Sequence, residues 1–515
     1  MAVSVRSYSI RIDPAMITNT AIAQGIISAI APAISKPIAE VQVKVNDILS
    51  DSTNITRSIP NVMYTNVSAQ AINQLTTTLT ADPNNPIGGV YFDRSWTRYY
   101  PMGPIAGPVV GYTGRELQGL SGIEQYYDKQ LSPQEGVREE RYPTVLYSIT
   151  PTLPGADIVS TIVGPLQVFS EARLKQAIRD SGAVSGEIIV LDTRTAAILA
   201  MASVPTYDPN GALAILDQQQ SKQLRNPAVS DLYEPGSVMK LATLSSAIDQ
   251  GTMDENTRWT DNGHFTVDGH TIRNSDLGAH GVVTALGTLQ WSLNVVAAQI
   301  SKAMGPTLFY QHYGLFGIGS PSGVDLAGEN SAKMRDPTIA EWRPLDLAEQ
   351  SFGQSLQVTP LQLTNAINAI ANDGVLMQPY AVKQWRALDG SWVITRPTQV
   401  KRTISADTAR KMRMVSAEAT RTATPKALPT GYTVAGKTGT AQWFKNGEMQ
   451  KTTIVSYVGW VPSQTPRVTI LIKLDQPKGQ TLSAPNTVPV FHDVAERACQ
   501  ILGIPPDVVK EAAKP

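Results

Sequence analysis

The chain has 515 residues, more than one hydrophobic core usually serves, so two or more domains are expected, one of them large. Apolar residues at 42% and charged residues at 17% describe a globular protein and exclude a disordered one. Lysine plus arginine equals aspartate plus glutamate at 43 each, which removes the basic footprint of nucleic-acid binding, and a single cysteine, Cys499, excludes intrachain disulfides and Cys-x-x-Cys sites.

From the N-terminus, residues 3–12 read as a strand. The charge-free run between Asp13 and Lys36 is long enough to span a bilayer. Thr18, Asn19, Thr20, Gln24, Ser28 and Pro32 interrupt it, while Ile17, Ile22, Ile26, Ile27, Ile30 and Ile34 recur as on an amphipathic core helix, so it is read as core rather than membrane span. No signal peptide is read at the start. Residues 82–108 are dense in proline, glycine, asparagine and aromatics, which predicts turns rather than a regular core element. The glycosylation patterns Asn54-Ile55-Thr56 and Asn66-Val67-Ser68 are short enough to arise by chance and carry no weight. Three prolines in residues 143–155 mark a linker, and the boundary between domains 1–155 and 156–515 is placed there.

Downstream, the spacing predicts a helix over 168–180, then strands over 187–192 and 196–203 joined by Thr193-Arg194-Thr195. A second strand pair, 452–461 and 467–475, brackets Pro462 to Pro466, and helical patterns such as 360–372 lie between the pairs. Strands at both ends with helices between them predict an α+β domain, an antiparallel sheet covered by helices.

Three short motifs carry chemistry. In Glu234-Pro235-Gly236-Ser237-Val238-Met239-Lys240 the proline and glycine end what precedes, and the apolar spacing that follows puts Ser237 at a helix N-terminus. Residues three apart share a helix face, so the Lys240 amine reaches the Ser237 hydroxyl. A serine needs a neighbour to take its proton, and a buried lysine kept neutral can do so. Ser292-Leu293-Asn294, read inside a helical stretch over 285–304, offers a hydroxyl to pass a proton and an amide to bind a peptide carbonyl. The same pattern at Ser52-Thr53-Asn54 has no nucleophile nearby. In Lys437-Thr438-Gly439-Thr440 the glycine lets another backbone come close, so a substrate peptide can add as a strand, while the lysine and threonines suit a carboxylate. Alone, the first motif also fits a capped helix with a solvated lysine, the second is a pattern that recurs cheaply, and the third also fits a glycine-rich strand end. Together they fall in the order nucleophile, Ser-x-Asn, Lys-Thr-Gly, separated by 55 and 145 residues, the combination known from penicillin-binding proteins and class A β-lactamases.

On these residues the chain resembles a class B penicillin-binding protein. The likeness extends to Gly114-Arg115-Glu116-Leu117, Ser121-Gly122-Ile123-Glu124, Ala200-Met201-Ala202-Ser203, Ser351-Phe352-Gly353-Gln354 and Ala371-Asn372-Asp373-Gly374. It departs from the family at Val238 and Met239, at Ala196 in place of a turn glycine, and at Ser355 in place of a glycine.

The resemblance implies a penicillin-binding transpeptidase domain of the serine β-lactamase-like fold above an N-terminal non-catalytic pedestal. It further implies a D,D-transpeptidase that cross-links peptidoglycan stem peptides, releases terminal D-Ala and is acylated by β-lactams. Catalytic roles fall to Ser237 as nucleophile, Lys240 as base and Ser292 as proton relay; Asn294, Lys437, Thr438, Gly439 and Thr440 bind substrate. A SEDS-type glycosyltransferase partner and an extracytoplasmic position on the cell membrane are also implied. The anchor and its following arginine-glycine motif are not found, and Met1-Ala2-Val3-Ser4 resembles the sequence just after that motif, so the anchor is expected to have been removed.

No cofactor and no metal is expected. His264, His270 and His280, spaced six and ten apart, fit no ligand pattern on one helix face. Four alternatives stay open to different degrees. A class A β-lactamase lacks support, because no Glu-x-x-Leu-Asn pattern lies between Ser292 and Lys437; a bifunctional protein would need a glycosyltransferase domain that some 150 upstream residues do not hold. A D,D-carboxypeptidase and a penicillin sensor or wall-assembly scaffold remain.

Overall fold

The computed structural model describes residues 1–50, 61–80, 89–133, 138–141, 145–148, 155–330, 334–445, 448–479 and 482–508. They form two compact units, residues 1–103 with 115–117, and residues 104–114 with 118–515. The pattern at Ser52-Thr53-Asn54 lies outside the described residues, as does most of the expected linker; within it, 145–148 pair antiparallel with 138–141.

In the first unit β1 (Val3–Ile12) is the middle strand of an antiparallel sheet, between β2 (Asn61–Ser68) and β3 (Val90–Tyr99). The helices α1 (Thr20–Ala33), α2 (Ile38–Ser50) and α3 (Ala69–Thr80) complete it. Asn19 caps α1 by accepting the Ile22 N–H at 2.9 Å. Ile26, Ile27 and Ile30 of α1 then face Ile10, Ile12, Val41 and Leu75 in one core, as their spacing predicted. No helix among the described residues is long and apolar enough to cross a membrane. β3 corrects the expectation of turns across 82–108. Most of its side chains stay partly exposed, so no apolar alternation announces it, and its hydrogen bonds go to β1, nearly ninety residues earlier.

The second unit is built on a five-stranded antiparallel sheet. Its strands are β4 (Ser185–Asp192), β5 (Ile198–Val204), β10 (Ala435–Lys445), β11 (Glu448–Val461) and β12 (Val468–Asp475), in the order β10-β11-β12-β4-β5. The strands from the two ends of the sequence thus meet in the middle, where β12 is buried along nearly its whole length because helices cover both faces. On one face α4 (Gly164–Ser181) and α11 (Ser483–Leu502) pack Leu166, Leu174, Phe491 and Val494 against Ile188, Ile470 and Ile472. Alternation sends Thr469 to the other face, where its hydroxyl donates to Asn368 Oδ1 at 2.6 Å on α9 (Pro360–Ala371).

Between the halves of the sheet, a 3₁₀ turn (Gly236–Met239) leads into α5 (Lys240–Asp249). Two small strand pairs follow, β6 (Trp259–Asp261) with β9 (Gly281–Val283), and β7 (His264–Val267) with β8 (His270–Arg273). Then come α6 (Ala285–Gln290), α7 (Asn294–Leu315), α8 (Pro344–Gln350) and α10 (Ala406–Ala423). The stretch read as one helix over 285–304 is therefore two. It breaks at Trp291 to Leu293, and Ser292 takes a left-handed backbone, φ 56°.

Candidate active site

Ser237 sits on the 3₁₀ turn, held against the edge strand β10 by close backbone approach. Gly236 has φ 59°, and a Cβ there would lie 2.7 Å from the Thr440 carbonyl oxygen. A Cβ on Gly439 would meet the Pro235 carbonyl and the Ser456 hydroxyl, both at 2.5 Å. The two motifs are in direct contact because each carries a glycine where the other's backbone passes. The Gly236 N–H donates to the Gly353 carbonyl at 3.0 Å, which ties the turn to a third segment.

Lys240, in the first turn of α5, is wholly buried. Its Nζ donates to the Ser292 carbonyl oxygen at 2.5 Å and to Asn294 Oδ1 at 2.7 Å, and lies 2.9 Å from Ser237 Oγ and 3.2 Å from Ser292 Oγ. Burial holds the amine well below the usual lysine range, and the Lys437 charge pushes in the same direction. A neutral amine has two N–H groups and one lone pair. With both N–H groups on the two carbonyl oxygens, the lone pair is left for the Ser237 hydroxyl. The strained backbone at Ser292 is what turns its carbonyl towards Lys240 while the next turn begins α7 at Asn294.

Lys437, on β10, is 6% exposed, and its Nζ donates to the Thr438 hydroxyl at 3.2 Å and the Thr438 carbonyl at 3.3 Å. Burial lowers its pKa to about 8. Thr440 is exposed, and its hydroxyl shares a hydrogen bond of 2.5 Å with Ser483. Among the described residues β10 is the outer strand of its sheet, so an extended peptide can pair along it.

All eight residues singled out in the sequence thus come together in one region. Ser237, Lys240, Ser292 and Asn294 join through hydrogen bonds, and the Lys437–Thr440 strand lies against the Ser237 turn. Among the described residues no group of three or more histidine, cysteine, aspartate and glutamate side chains converges as a metal would need.

Sequence reasoning missed two supporting carboxyls. Glu234 accepts the Ser355 N–H at 3.1 Å, and burial together with the neighbouring Glu349 raises its pKa to about 7. Asp261 faces Gly263, His280 and Asn274, and Asn274 in turn accepts the N–H of Val295, the neighbour of Asn294. Asp261 belongs to no motif; Glu234 opens the Glu234–Lys240 motif, but nothing in that pattern gave its carboxyl a role of its own.

Residues 186–496 match the penicillin binding protein transpeptidase domain, and residues 1–145 match the penicillin-binding protein dimerisation domain. Stage V sporulation protein D of Bacillus subtilis is 30% identical over 81% of this chain and 66% of its own length. The probable peptidoglycan D,D-transpeptidase PenA of Neisseria meningitidis is 31% identical over 81% of this chain and 70% of its own length. The chain therefore spans about two thirds of the length of these curated relatives. Among solved structures, penicillin binding protein 3 of Mycobacterium tuberculosis complexed with aztreonam superposes with a TM-score of 0.71 at 32% identity, covering 81% of this chain and 94% of that one.

Proposed function

We propose, for a chain that belongs to the class B penicillin-binding proteins, that it is a peptidoglycan D,D-transpeptidase working through a Ser237 acyl-enzyme. The observation that carries this reading is the wholly buried Lys240 amine, 2.9 Å from Ser237 Oγ and held by the Ser292 carbonyl oxygen at 2.5 Å and Asn294 Oδ1 at 2.7 Å.

In this reading a stem peptide ending in D-Ala-D-Ala lies along β10, its terminal carboxylate on Lys437, Thr438 and Thr440 and an amide on Asn294. Lys240 takes the Ser237 proton as Oγ attacks the penultimate D-Ala carbonyl carbon. The N–H groups of Ser237 and Thr440 hold the resulting oxyanion. The peptide C–N bond breaks, Ser292 relays a proton to the departing nitrogen, and free D-Ala leaves behind an ester on Ser237. The amine of a second stem peptide then attacks the ester, forming the cross-link and returning the proton to the serine. A β-lactam follows the first half of this path, but its leaving nitrogen stays tethered, so the ester persists.

Residues 1–155 are assigned as the non-catalytic pedestal and 156–515 as the transpeptidase domain. An extracytoplasmic position on the cell membrane and a SEDS-type glycan polymerase as partner accompany this assignment, resting on the family resemblance alone. Intact-protein mass spectrometry after incubation with a fluorescent penicillin, run beside Ser237→Ala, tests the chemistry. One long-lived adduct that vanishes in the variant is expected; no adduct, with the drug left whole, would sink the proposal.

A further inference from the structure

The Asn294 amide can face Lys240 in two ways, and only one presents an oxygen. Its orientation is fixed from behind, because Asn294 Nδ2 donates to the Arg273 carbonyl at 3.0 Å, which leaves Oδ1 for the Lys240 amine at 2.7 Å. The next residue along is also held by the same loop. The Val295 N–H donates to Asn274 Oδ1 at 3.2 Å. The residue preceding α7, Leu293, has no side chain to cap the helix, so Asn274 supplies from another segment the acceptor that a local cap would provide.

Asn274 is 2% exposed and is itself oriented by Asp261, whose side chain is wholly buried. Asp261 Oδ2 accepts from Asn274 Nδ2 at 2.8 Å, from the His280 backbone N–H at 3.1 Å and faces His280 Nδ1 at 3.0 Å; Oδ1 accepts the Gly263 N–H at 2.9 Å. Two of these four partners, the Gly263 and His280 backbone N–H groups, are donors by their chemistry, one on each oxygen, so the position calls for an acceptor on both, which a carboxylate supplies and an amide does not. With Oδ2 as its acceptor, the Asn274 amide must turn Nδ2 to Asp261 and Oδ1 to Val295. His280 Nε2 lies 3.1 Å from Asp276 Oδ2, on the other side of the ring from Asp261, so the two carboxylates do not converge on one ion.

We propose that Asp261 and Asn274 are positioning residues for acyl transfer: the chain Asp261–Asn274–Val295, with the Arg273 carbonyl beside it, sets the start of α7 and the polarity of the Asn294 amide, and so keeps the Lys240 lone pair on Ser237. The proposal rests on the transpeptidase reading of the site. Neither residue touches substrate. Both lie 13 residues apart in sequence and meet only because the β7–β8 hairpin folds the chain back.

The test is the acylation of the full chain by a fluorescent penicillin, resolved by stopped flow into the binding constant K and the acylation rate constant k2. Asn274→Asp sets a carboxylate against Asp261, and k2 is expected to fall at least about tenfold with K little changed, the signature of a misaligned reacting group. Asn274→Ala removes the link to Val295 without setting charge against charge and leaves the Gly263 and His280 N–H groups on Asp261, so k2 is expected to fall severalfold, again with K little changed. Equal thermal midpoints of the compared proteins separate positioning from simple loss of fold. A folded Asn274→Asp protein with wild-type k2 would overturn the relay, as would a folded Asn274→Ala protein with wild-type k2. If Asn274→Asp does not fold, Asn274→Ala alone decides against wild type. A wild-type chain that takes no adduct at Ser237 would instead bring down the reading of the site on which the relay stands.

Discussion

Lys240 Nζ lies 2.7 Å from Asn294 Oδ1, so the buried amine is faced by a neutral oxygen rather than a charged one. This choice keeps the amine free to act as a base. In Asn294→Asp the same position carries a negative charge, which stabilises the ammonium and raises its pKa. Each unit of that rise leaves about tenfold less neutral amine at a given pH below the new value. Acylation by a penicillin at pH 7 is therefore expected to fall by at least about tenfold and to recover as pH is raised. A stopped-flow series from pH 6 to 9 would check this; a variant with an unmoved acid limb would show that Lys240 is not the base.

The two lysines set opposite limbs of one profile. Lys240 must be neutral to accept the proton, and burial and Lys437 depress its pKa, so the acylation constant rises as pH climbs through that lowered value. Lys437 must be charged to hold a carboxylate, and its pKa is about 8, so the constant falls as pH rises past about 8. A bell is expected for the free enzyme, its limbs belonging to the coupled pair. Lys437→Arg keeps the charge throughout this range and should lose the alkaline fall, at a lower overall rate because the guanidinium is larger. An alkaline limb that persists unchanged in the arginine variant would remove Lys437 from this role.

How much of this was legible beforehand depends on distance along the chain. Ser237 with Lys240, and Lys437 with Thr438 to Thr440, are contiguous, and their chemistry is set by residues one helical turn or one strand apart. The strand pairs 187–203 and 452–475 were also legible, because apolar runs bounded by turn residues survive burial on both faces. The break at Ser292 was not, since Leu289, Leu293 and Val296 continue an apolar helical spacing across it, and a period does not report the sign of one φ. Ala196 and Ser355 repeat the lesson in reverse. The family resemblance noted each as replacing a glycine, and both take left-handed backbone, φ 57° and 56°. Asp261 and Asn274 were invisible because their contact exists only after the intervening hairpin forms.

Glu234 gives a stability prediction with a definite sign. Its folded pKa, about 7, lies above the ordinary value of 4.5, with burial the main cause, so the native state binds the proton more tightly than the unfolded chain. Below pH 4.5 the carboxyl is protonated in both states and costs nothing. Stability then declines as pH rises from 4.5 to 7 and stays lower above. Glu234→Gln keeps an oxygen for the Ser355 N–H and removes the ionisation. Its thermal midpoint is expected to match wild type near pH 4 and to exceed it at pH 8.5 by a few degrees, about 3 kcal/mol. An equal difference at both pH values would show that the carboxyl does not titrate in this window.

Lys473 tests how much a buried ion cluster contributes under the nucleophile segment. It is 3% exposed on β12 and donates to Glu187 Oε2 at 2.9 Å and to Asp475 Oδ1 and Oδ2 at 2.6 and 2.8 Å, with its Nζ 5.0 Å from the centroid of the Tyr233 ring. Tyr233 in turn pairs its backbone with Val358 and precedes Glu234. Burial pushes the Glu187 carboxyl upward, whereas two carboxylates hold the Lys473 charge in place; with three oxygens within 2.9 Å, the ammonium is the charge that persists. Lys473→Met leaves Glu187 buried beside Asp475 without a counter-charge, and is expected to destabilise the catalytic unit by about 3–5 kcal/mol. Lys473→Met with Glu187→Leu removes the more deeply buried of the two stranded carboxyls and leaves Asp475 with the Ser185 hydroxyl, so it should recover part of that loss. Urea titration read by loss of penicillin labelling reports on this unit alone, and the double-mutant cycle isolates the coupling. Strict additivity of the two substitutions would mean that Lys473 and Glu187 do not act as a pair.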